Sequence, residues 1–103
     1  MQVVSNEPGF YKKGEFGFRI EADMVSVPAQ TEFNWGSRAW LKFEYLTMVP
    51  ISKVLIQMDM LSQQELEWLN NYHKTVYQTL APRLSSSKDA SVLAWLKEAT
   101  LPI

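Results

Sequence analysis

The start of the chain alternates between apolar and other side chains in the manner of a β-strand. From Phe16 to Met24 the even positions are apolar, and the odd positions are glycine or charged. A period of two predicts a strand. The run EPGF at residues 7–10 predicts a turn with glycine at a positive φ, and Lys13–Gly14 predicts another. Pro28 is expected to end the last strand of this region.

The middle of the chain mixes loop and strand patterns. The run NWGS at residues 34–37 predicts a loop, and residues 40–46 alternate again as a strand does. Residues 48–51 are expected to be extended, because Pro50 disfavours a helical conformation in the residue before it. Residues 53–58 are predicted to form one more short strand.

The last third of the chain has helical periodicity. Ser62 and Glu65 have the spacing of a capping box, which marks the start of a helix. Residues of one helical face then recur at steps of three and four, namely Leu66, Leu69, His73, Val76 and Leu80. The pattern predicts helices over about residues 62–82 and 88–100, separated by a polar break at residues 85–87.

These elements together predict one α+β domain of antiparallel hairpin strands, an extended segment and two α-helices. The length of 103 residues fits a single domain, and 47% hydrophobic residues argue against a disordered chain. Ten basic residues are balanced by eleven acidic ones without a basic stripe, so nucleic acid is not expected as a partner.

Two residue counts exclude several kinds of chemistry. The chain has no cysteine, which excludes disulfides and a thiol nucleophile, and only one histidine, which excludes a metal site of several imidazoles within this chain. The absence of cysteine fits a reducing compartment, so a cytoplasmic location is expected. No apolar run is long enough to span a membrane, and no membrane contact is expected.

Two glutamates are the candidate site residues that the strand pattern provides. Arg19, Glu21 and Asp23 share one face of the predicted strand, and a hairpin brings Glu7 of the partner strand close to Glu21. Neighbouring carboxylates either share a proton or bind cations. A solvated polar face is the alternative interpretation of the same pattern.

The remaining candidates have structural interpretations. His73 lies on the apolar face of its predicted helix, so we expect it to make a packing or capping contact there. A set of aromatic residues is expected to pack in a core or an interface, since no basic groove accompanies it. This set comprises Phe16, Phe18, Trp35, Trp40, Phe43, Trp68, Tyr72 and Trp95.

Several runs resemble one enzyme family over nearly the whole chain. SNEPGFY at residues 5–11 and KGEFGFRIE at residues 13–21 resemble the end of the catalytic domain of Xaa-Pro aminopeptidases (aminopeptidase P), which are metallopeptidases of the pita-bread fold. The resemblance continues in FEYLTMVPI (residues 43–51), WLNNYH (68–73) and the closing WL and TLPI (95–96 and 100–103). These later runs favour the long, eukaryotic-type form over prolidase.

The resemblance implies a fold and a set of site residues. Residues 1–29 correspond to the last strands of the catalytic pita-bread domain, and residues 30–103 correspond to the C-terminal region. The family holds two metal ions, usually manganese, between two aspartates, one histidine and two glutamates. Glu7 matches a ligand that also accepts a proton from the attacking water, and Glu21 matches a ligand that bridges both metals. Tyr11 and Arg19 match positions that support these ligands.

The resemblance also implies an activity and its limits. The family removes the N-terminal residue from peptides with proline at the second position, and a homodimer is expected. The three other metal ligands and the substrate-binding histidines lie upstream in the family, so substrate-binding residues are unknown in this chain. Two carboxylates do not hold two divalent ions tightly, so the chain alone is expected to be inactive. Its face toward the missing catalytic half is expected to be apolar and to self-associate.

Two other interpretations stay open at this point. One is a non-catalytic binding or dimerisation module related to the pita-bread enzymes. The other is a different pita-bread peptidase, such as prolidase. Retention of both Glu7 and Glu21 favours an enzyme, because a purely structural module does not need either carboxylate.

Overall fold

The first half of the protein is a long antiparallel hairpin with a further strand beside it. The computed structural model describes residues 1–84 and 87–103, and the chain divides into two compact units, Met1–Thr47 and Met48–Ile103. The first unit contains strands β1 (Val3–Asn6), β2 (Gly9–Lys12), β3 (Phe16–Arg19), β4 (Ala22–Ala29) and β5 (Trp40–Tyr45). One sheet has the order β1-β4-β5, and β2 pairs with β3.

The hairpin reverses at Gly14, as the sequence predicts. Gly14 has a φ of 76°, and the Glu15 amide donates a hydrogen bond of 3.0 Å to the Lys12 carbonyl. The turn predicted at residues 7–10 is wrong, because Gly9 belongs to β2 and does not adopt a positive φ. The chain continues through residues 7–10 without reversing, because the reversal lies at Gly14.

The strand predicted to run without a break from Phe16 is interrupted at Ile20 and Glu21, which lie between β3 and β4. The same gap in the other arm of the hairpin holds Glu7 and Pro8. The Ile20 amide donates to the Pro8 carbonyl at 3.0 Å, but proline has no N–H with which to return a bond. The ladder therefore loses a hydrogen bond at this point.

The sequence predicts that strand β4 ends at Pro28. The strand instead continues to Ala29, and Pro28 pairs with Leu41. The backbone nitrogens of alternate residues point to the same side of a strand. The Ser26 amide donates to the Gln2 carbonyl on the side away from β5. The nitrogen of Pro28 points the same way, so its missing N–H does not weaken the β4–β5 ladder.

One face of this unit is apolar and open to solvent. It is formed by even-numbered residues of the hairpin and their partners on β5: Phe10, Phe16, Phe18, Ile20, Leu41 and Phe43. The four phenylalanines are each 53–56% exposed. Core packing was the wrong prediction for most of the aromatic set, of which Tyr72 alone is buried. Interface packing stays a prediction for the others.

The chain exposes more surface than compact bodies of its mass. Its accessible area is 8553 Å². Two separate compact bodies, each of about half the mass, would together expose only ~7,000 Å². The excess of ~1,500 Å² is about twice the ~800 Å² that each partner contributes to a standard protein interface.

Within its described residues, the second unit contains two helices. They are α1 (Gln63–Leu80) and α2 (Ala90–Ala99), with 3₁₀ turns at Lys53–Leu55, Met58–Met60, Ala81–Arg83 and Ser87–Asp89. The strand predicted at residues 53–58 is wrong. Instead, the carbonyl of Lys53 accepts a 3₁₀ hydrogen bond from the Ile56 amide. The Lys53 ammonium donates to the Glu98 and Leu101 carbonyls at 2.9 and 3.1 Å. Within the predicted polar break, residues 85 and 86 lie outside the described residues.

The capping box predicted at the start of α1 is confirmed. The Glu65 amide donates to the Ser62 hydroxyl, and the Ser62 amide donates to the Glu65 carboxylate at 2.8 Å. The hydrogen bonds from the Ser62 amide and hydroxyl lower the pKa of Glu65. Helix α1 ends at Leu80, two residues before Pro82, close to the predicted boundary.

Two side chains of α1 hold the extended segment at residues 48–51. The Tyr72 hydroxyl donates to the Val49 carbonyl at 2.8 Å, and the Ile51 amide donates to Nε2 of His73 at 3.0 Å. His73 is completely buried. The prediction of a structural role for this histidine is confirmed.

The hydrogen bond to His73 requires a neutral imidazole. An amide N–H donates only to an unprotonated Nε2, so the ring proton lies on Nδ1. That atom is buried and has no hydrogen-bond partner among the described residues. Burial lowers the pKa of His73, and the nearby charge of Lys53 lowers it further.

Protonation of His73 is therefore expected to destabilise the fold at acid pH. Because its folded pKa lies below the ordinary 6.5, the unfolded chain takes up the proton first. The stabilisation is complete above pH 6.5 and is lost as the pH falls through the lowered value, by at most about 1.4 kcal/mol per pH unit. Denaturant unfolding at a series of pH values below and above 6.5 measures this dependence.

The matched control is His73→Gln, whose side-chain oxygen can accept the Ile51 hydrogen bond without titrating. Its stability is expected to lack this pH dependence. Equal pH dependences in the two proteins would show that His73 does not cause it.

The isolated chain is expected to self-associate through its apolar face. Light scattering over a range of concentrations should show a mass that rises above that of the monomer. Phe18→Lys, in the centre of this face, is expected to restore the monomer, because it places a charge where two apolar surfaces would meet. Val54→Lys changes a 90% exposed residue of the other unit and serves as the control. A monomer at every concentration would contradict the expectation.

Candidate functional site

The face of the hairpin opposite the phenylalanines carries the predicted site residues. Cross-strand partners share a face, and the pairs Ser5–Asp23, Gly9–Arg19 and Tyr11–Gly17 place the odd-numbered residues together. This polar face comprises Ser5, Glu7, Gly9, Tyr11, Gly17, Arg19, Glu21 and Asp23. Its side chains are those that the alternation of the sequence assigns to one side.

Glu7 and Glu21 occupy facing positions on this polar face. Asn6 pairs with Ala22 on one side of the interruption, and Gly9 pairs with Arg19 on the other. The register is the same on both sides, so it places Glu7 directly opposite Glu21. Directly opposed residues of an antiparallel pair have Cβ atoms about 5 Å apart. The hairpin thus brings together the two glutamates that the sequence analysis singled out.

The carboxylate of Glu7 is held through both of its oxygens. The Ser5 hydroxyl donates to Oε1, and Nη1 of Arg19 donates to Oε2 at 3.3 Å. The Glu7 and Arg19 side chains are 38% and 50% exposed, so this ion pair alone contributes only about 0–1 kcal/mol. Its effect is to orient the carboxylate, and each oxygen keeps a lone pair for another ligand.

Tyr11 lies flat across two glycines of the same face. A Cβ atom added to Gly9 would lie 2.6 Å from the Tyr11 hydroxyl, and one added to Gly17 would lie 2.6 Å from the tyrosine ring. Real Cβ contacts are not this short, so both positions need glycine for the ring to adopt this orientation. The ring directs its hydroxyl toward Gly9, on the side of Tyr11 that leads to Glu7.

Sequence reasoning missed the two glycines and Ser5 as parts of this site. The run EPGF predicts a turn at Gly9, and the strand alternation alone gives Gly17 no role in a site. The available signal was the spacing, because both glycines share a strand face with Tyr11. Ser5 stands two residues before Glu7, which is the spacing of neighbours on one strand face.

The two glutamates suit hard divalent cations as part of a larger ligand set. Carboxylate oxygens are the ligands that such ions prefer. Within residues 1–84 and 87–103, no group of three or more histidine, cysteine, aspartate or glutamate residues is arranged to hold a metal ion. His73 belongs to the other unit and is bound to Ile51. Among the described residues, the face therefore offers two facing carboxylates and not a complete set of metal ligands.

No helix in the described part of the chain has the length and apolar character needed to cross a membrane.

Comparison with known proteins identifies closely similar sequences. The chain is 41% identical to Aminopeptidase P1 of Arabidopsis thaliana over 101 residues, which is 98% of this chain and 15% of that protein. It is 44% identical to Xaa-Pro aminopeptidase ApepP of Drosophila melanogaster over 100 residues, or 97% of this chain and 16% of that protein. The chain thus spans about one sixth of the length of these relatives.

A solved structure and a family model agree with these relatives. The chain resembles X-prolyl aminopeptidase from Caenorhabditis elegans, described as a cytosolic enzyme with a di-nuclear active site, with a TM-score of 0.88 and 36% identity. The match covers 99% of this chain and 16% of that one. This likeness confirms the predicted α+β fold, the C-terminal portion of a pita-bread fold. Residues 39–103 match the family model described as the C-terminal region of peptidase_M24. The chain therefore belongs to the family described as the C-terminal region of peptidase_M24, and the relatives it resembles are aminopeptidases P.

Proposed function

We propose that this chain supplies two carboxylate ligands to the metal site of an Xaa-Pro aminopeptidase. The observation that carries the proposal is the position of Glu7 directly opposite Glu21, on the polar face of a hairpin whose other face is apolar. Membership of the family and the di-nuclear site of the C. elegans enzyme support it. The substrates proposed are peptides with proline as their second residue.

Glu7 and Glu21 have different tasks in this proposal. Glu21 lies opposite Glu7 and would supply a carboxylate ligand shared by the metal ions of the site. Glu7 contributes a second carboxylate and accepts the proton of the attacking water, while Arg19 and Ser5 keep its oxygens in place. When bound, a pair of divalent ions lowers the pKa of water and polarises the scissile carbonyl. We propose Mn²⁺ as the ion.

Tyr11 and Arg19 support the ligands in different ways. Arg19 balances the negative charge of Glu7 and fixes one of its oxygens. Tyr11 lies over Gly9, the residue that separates it from Glu7 along this strand face, and directs its hydroxyl toward that side. We propose a cytosolic location and a homodimeric parent, following the description of the C. elegans enzyme as cytosolic and the family resemblance respectively.

A chimera tests the proposed function. In it, this chain replaces the matched segment of the C. elegans X-prolyl aminopeptidase. The chimera is expected to release the first residue from an Xaa-Pro peptide and to bind Mn²⁺. Glu7→Gln and Glu21→Gln are each expected to reduce kcat/KM by about 100-fold or more, because removal of a ligand or proton acceptor affects the chemical step. Peptide hydrolysis and metal content are measured together.

Glu15→Gln is the matched control for these variants. Glu15 lies in the turn of the same hairpin and pairs with Lys12 at its surface, so its loss should leave activity unchanged. The isolated chain should release no product. A folded but inactive chimera, or full activity in Glu21→Gln, would refute the proposed function.

A further inference from the structure

Glu7 lies beside the point at which the hairpin ladder lacks a hydrogen bond. It belongs to the two-residue gap between β1 and β2, next to Pro8, which cannot return a hydrogen bond to Ile20. The backbone at Glu7 is consequently less restrained than that of the paired strands on either side. A side chain at this position needs anchors elsewhere if its carboxylate is to keep one orientation.

Both anchors of Glu7 come from paired strands. Ser5 belongs to β1 and pairs with Asp23, and Arg19 belongs to β3 and pairs with Gly9. The two donors reach different oxygens of the carboxylate. One donor would leave the carboxylate free to rotate, whereas two donors on opposite oxygens fix its plane.

Of the two donors to Glu7, Ser5 has the shorter side chain. The Arg19 contact is long at 3.3 Å, and half of that side chain is exposed, so water competes with it. Ser5 is two residues from Glu7 on the same strand face and has one short side-chain bond to rotate. As a neutral donor it leaves the negative charge of the carboxylate available to a cation.

We propose that Ser5 is a positioning residue that orients the Glu7 carboxylate for metal binding. The proposal rests on the proposed function, because it assumes that Glu7 is a ligand. In this role Ser5 acts through Glu7, to which its hydroxyl donates. Its removal is therefore expected to weaken metal binding and the chemical step while leaving KM nearly unchanged. Loss of a group that orients a metal ligand typically costs about 10–100-fold in affinity or activity.

The test compares three variants in the chimera described above. Ser5→Ala removes the hydroxyl, Ser5→Thr retains it, and Asn6→Ala alters the next residue, which lies on the opposite face of the hairpin. Mn²⁺ affinity is measured by competition with a chelator, and kcat and KM are measured at saturating Mn²⁺. Thermal unfolding without metal shows whether each variant is folded.

Ser5→Ala is expected to bind Mn²⁺ about 10-fold or more weakly and to lower kcat, with KM and the unfolding temperature unchanged. Ser5→Thr should restore both values, and Asn6→Ala should match the unmodified chimera. Unchanged Mn²⁺ affinity in Ser5→Ala would overturn the proposal. So would an equal loss in Asn6→Ala, which would indicate a general effect on the strand.

A second measurement separates this proposal from the proposed function. NMR couplings of the Glu7 side chain in the isolated full chain report whether it occupies one rotamer or several. If the unmodified chimera binds no Mn²⁺, the proposed function fails. One rotamer in the unmodified chain and several in Ser5→Ala would still support Ser5 as the anchor of Glu7. The same rotamer distribution in both would overturn it.

Discussion

The register of the β1–β4 hairpin is the constraint on which the candidate site depends. Gly14 sets the reversal, and the same pairing then holds on both sides of the gap at Glu7 and Pro8. Because the register survives the gap, Glu7 still faces Glu21. The interruption frees the backbone at Glu7 without moving it to the other face. The site thus combines fixed positions with some local backbone freedom, and side chains from the paired strands supply the remaining restraint.

The second unit is held together by polar anchors as much as by apolar packing. Among the residues that the structure describes, its buried apolar residues are Leu69, Tyr72, Val76 and Leu96. Helix α1 binds non-helical backbone on the same side: His73 holds Ile51, and the Asn70 side chain exchanges two hydrogen bonds of 3.0 Å with the backbone of Ile103. Side chains of the run WLNNYH therefore hold non-helical backbone through hydrogen bonds. These hydrogen bonds satisfy backbone groups that have no strand partner.

The sequence predicted the features that depend on local chemistry. The capping box at Ser62, the loop at residues 34–37 and the facing glutamates follow from spacing and alternation, and Gly36 adopts the positive φ that such a loop requires. The failures involve partners distant in sequence. Residues 53–58 have strand-like composition, but the bonds of Lys53 to the end of α2 favour 3₁₀ turns. The glycines under Tyr11 were missed because a strand pattern does not show where an aromatic ring will lie.

The two faces of the hairpin are consequences of one alternation. The pairing that sets Glu7 opposite Glu21 also places Phe10 opposite Phe18 on the reverse side. A slip of one residue would move the carboxylates of one arm to the apolar face and break both arrangements together. The arrangement of the apolar face and the arrangement of the facing carboxylates therefore depend on one register.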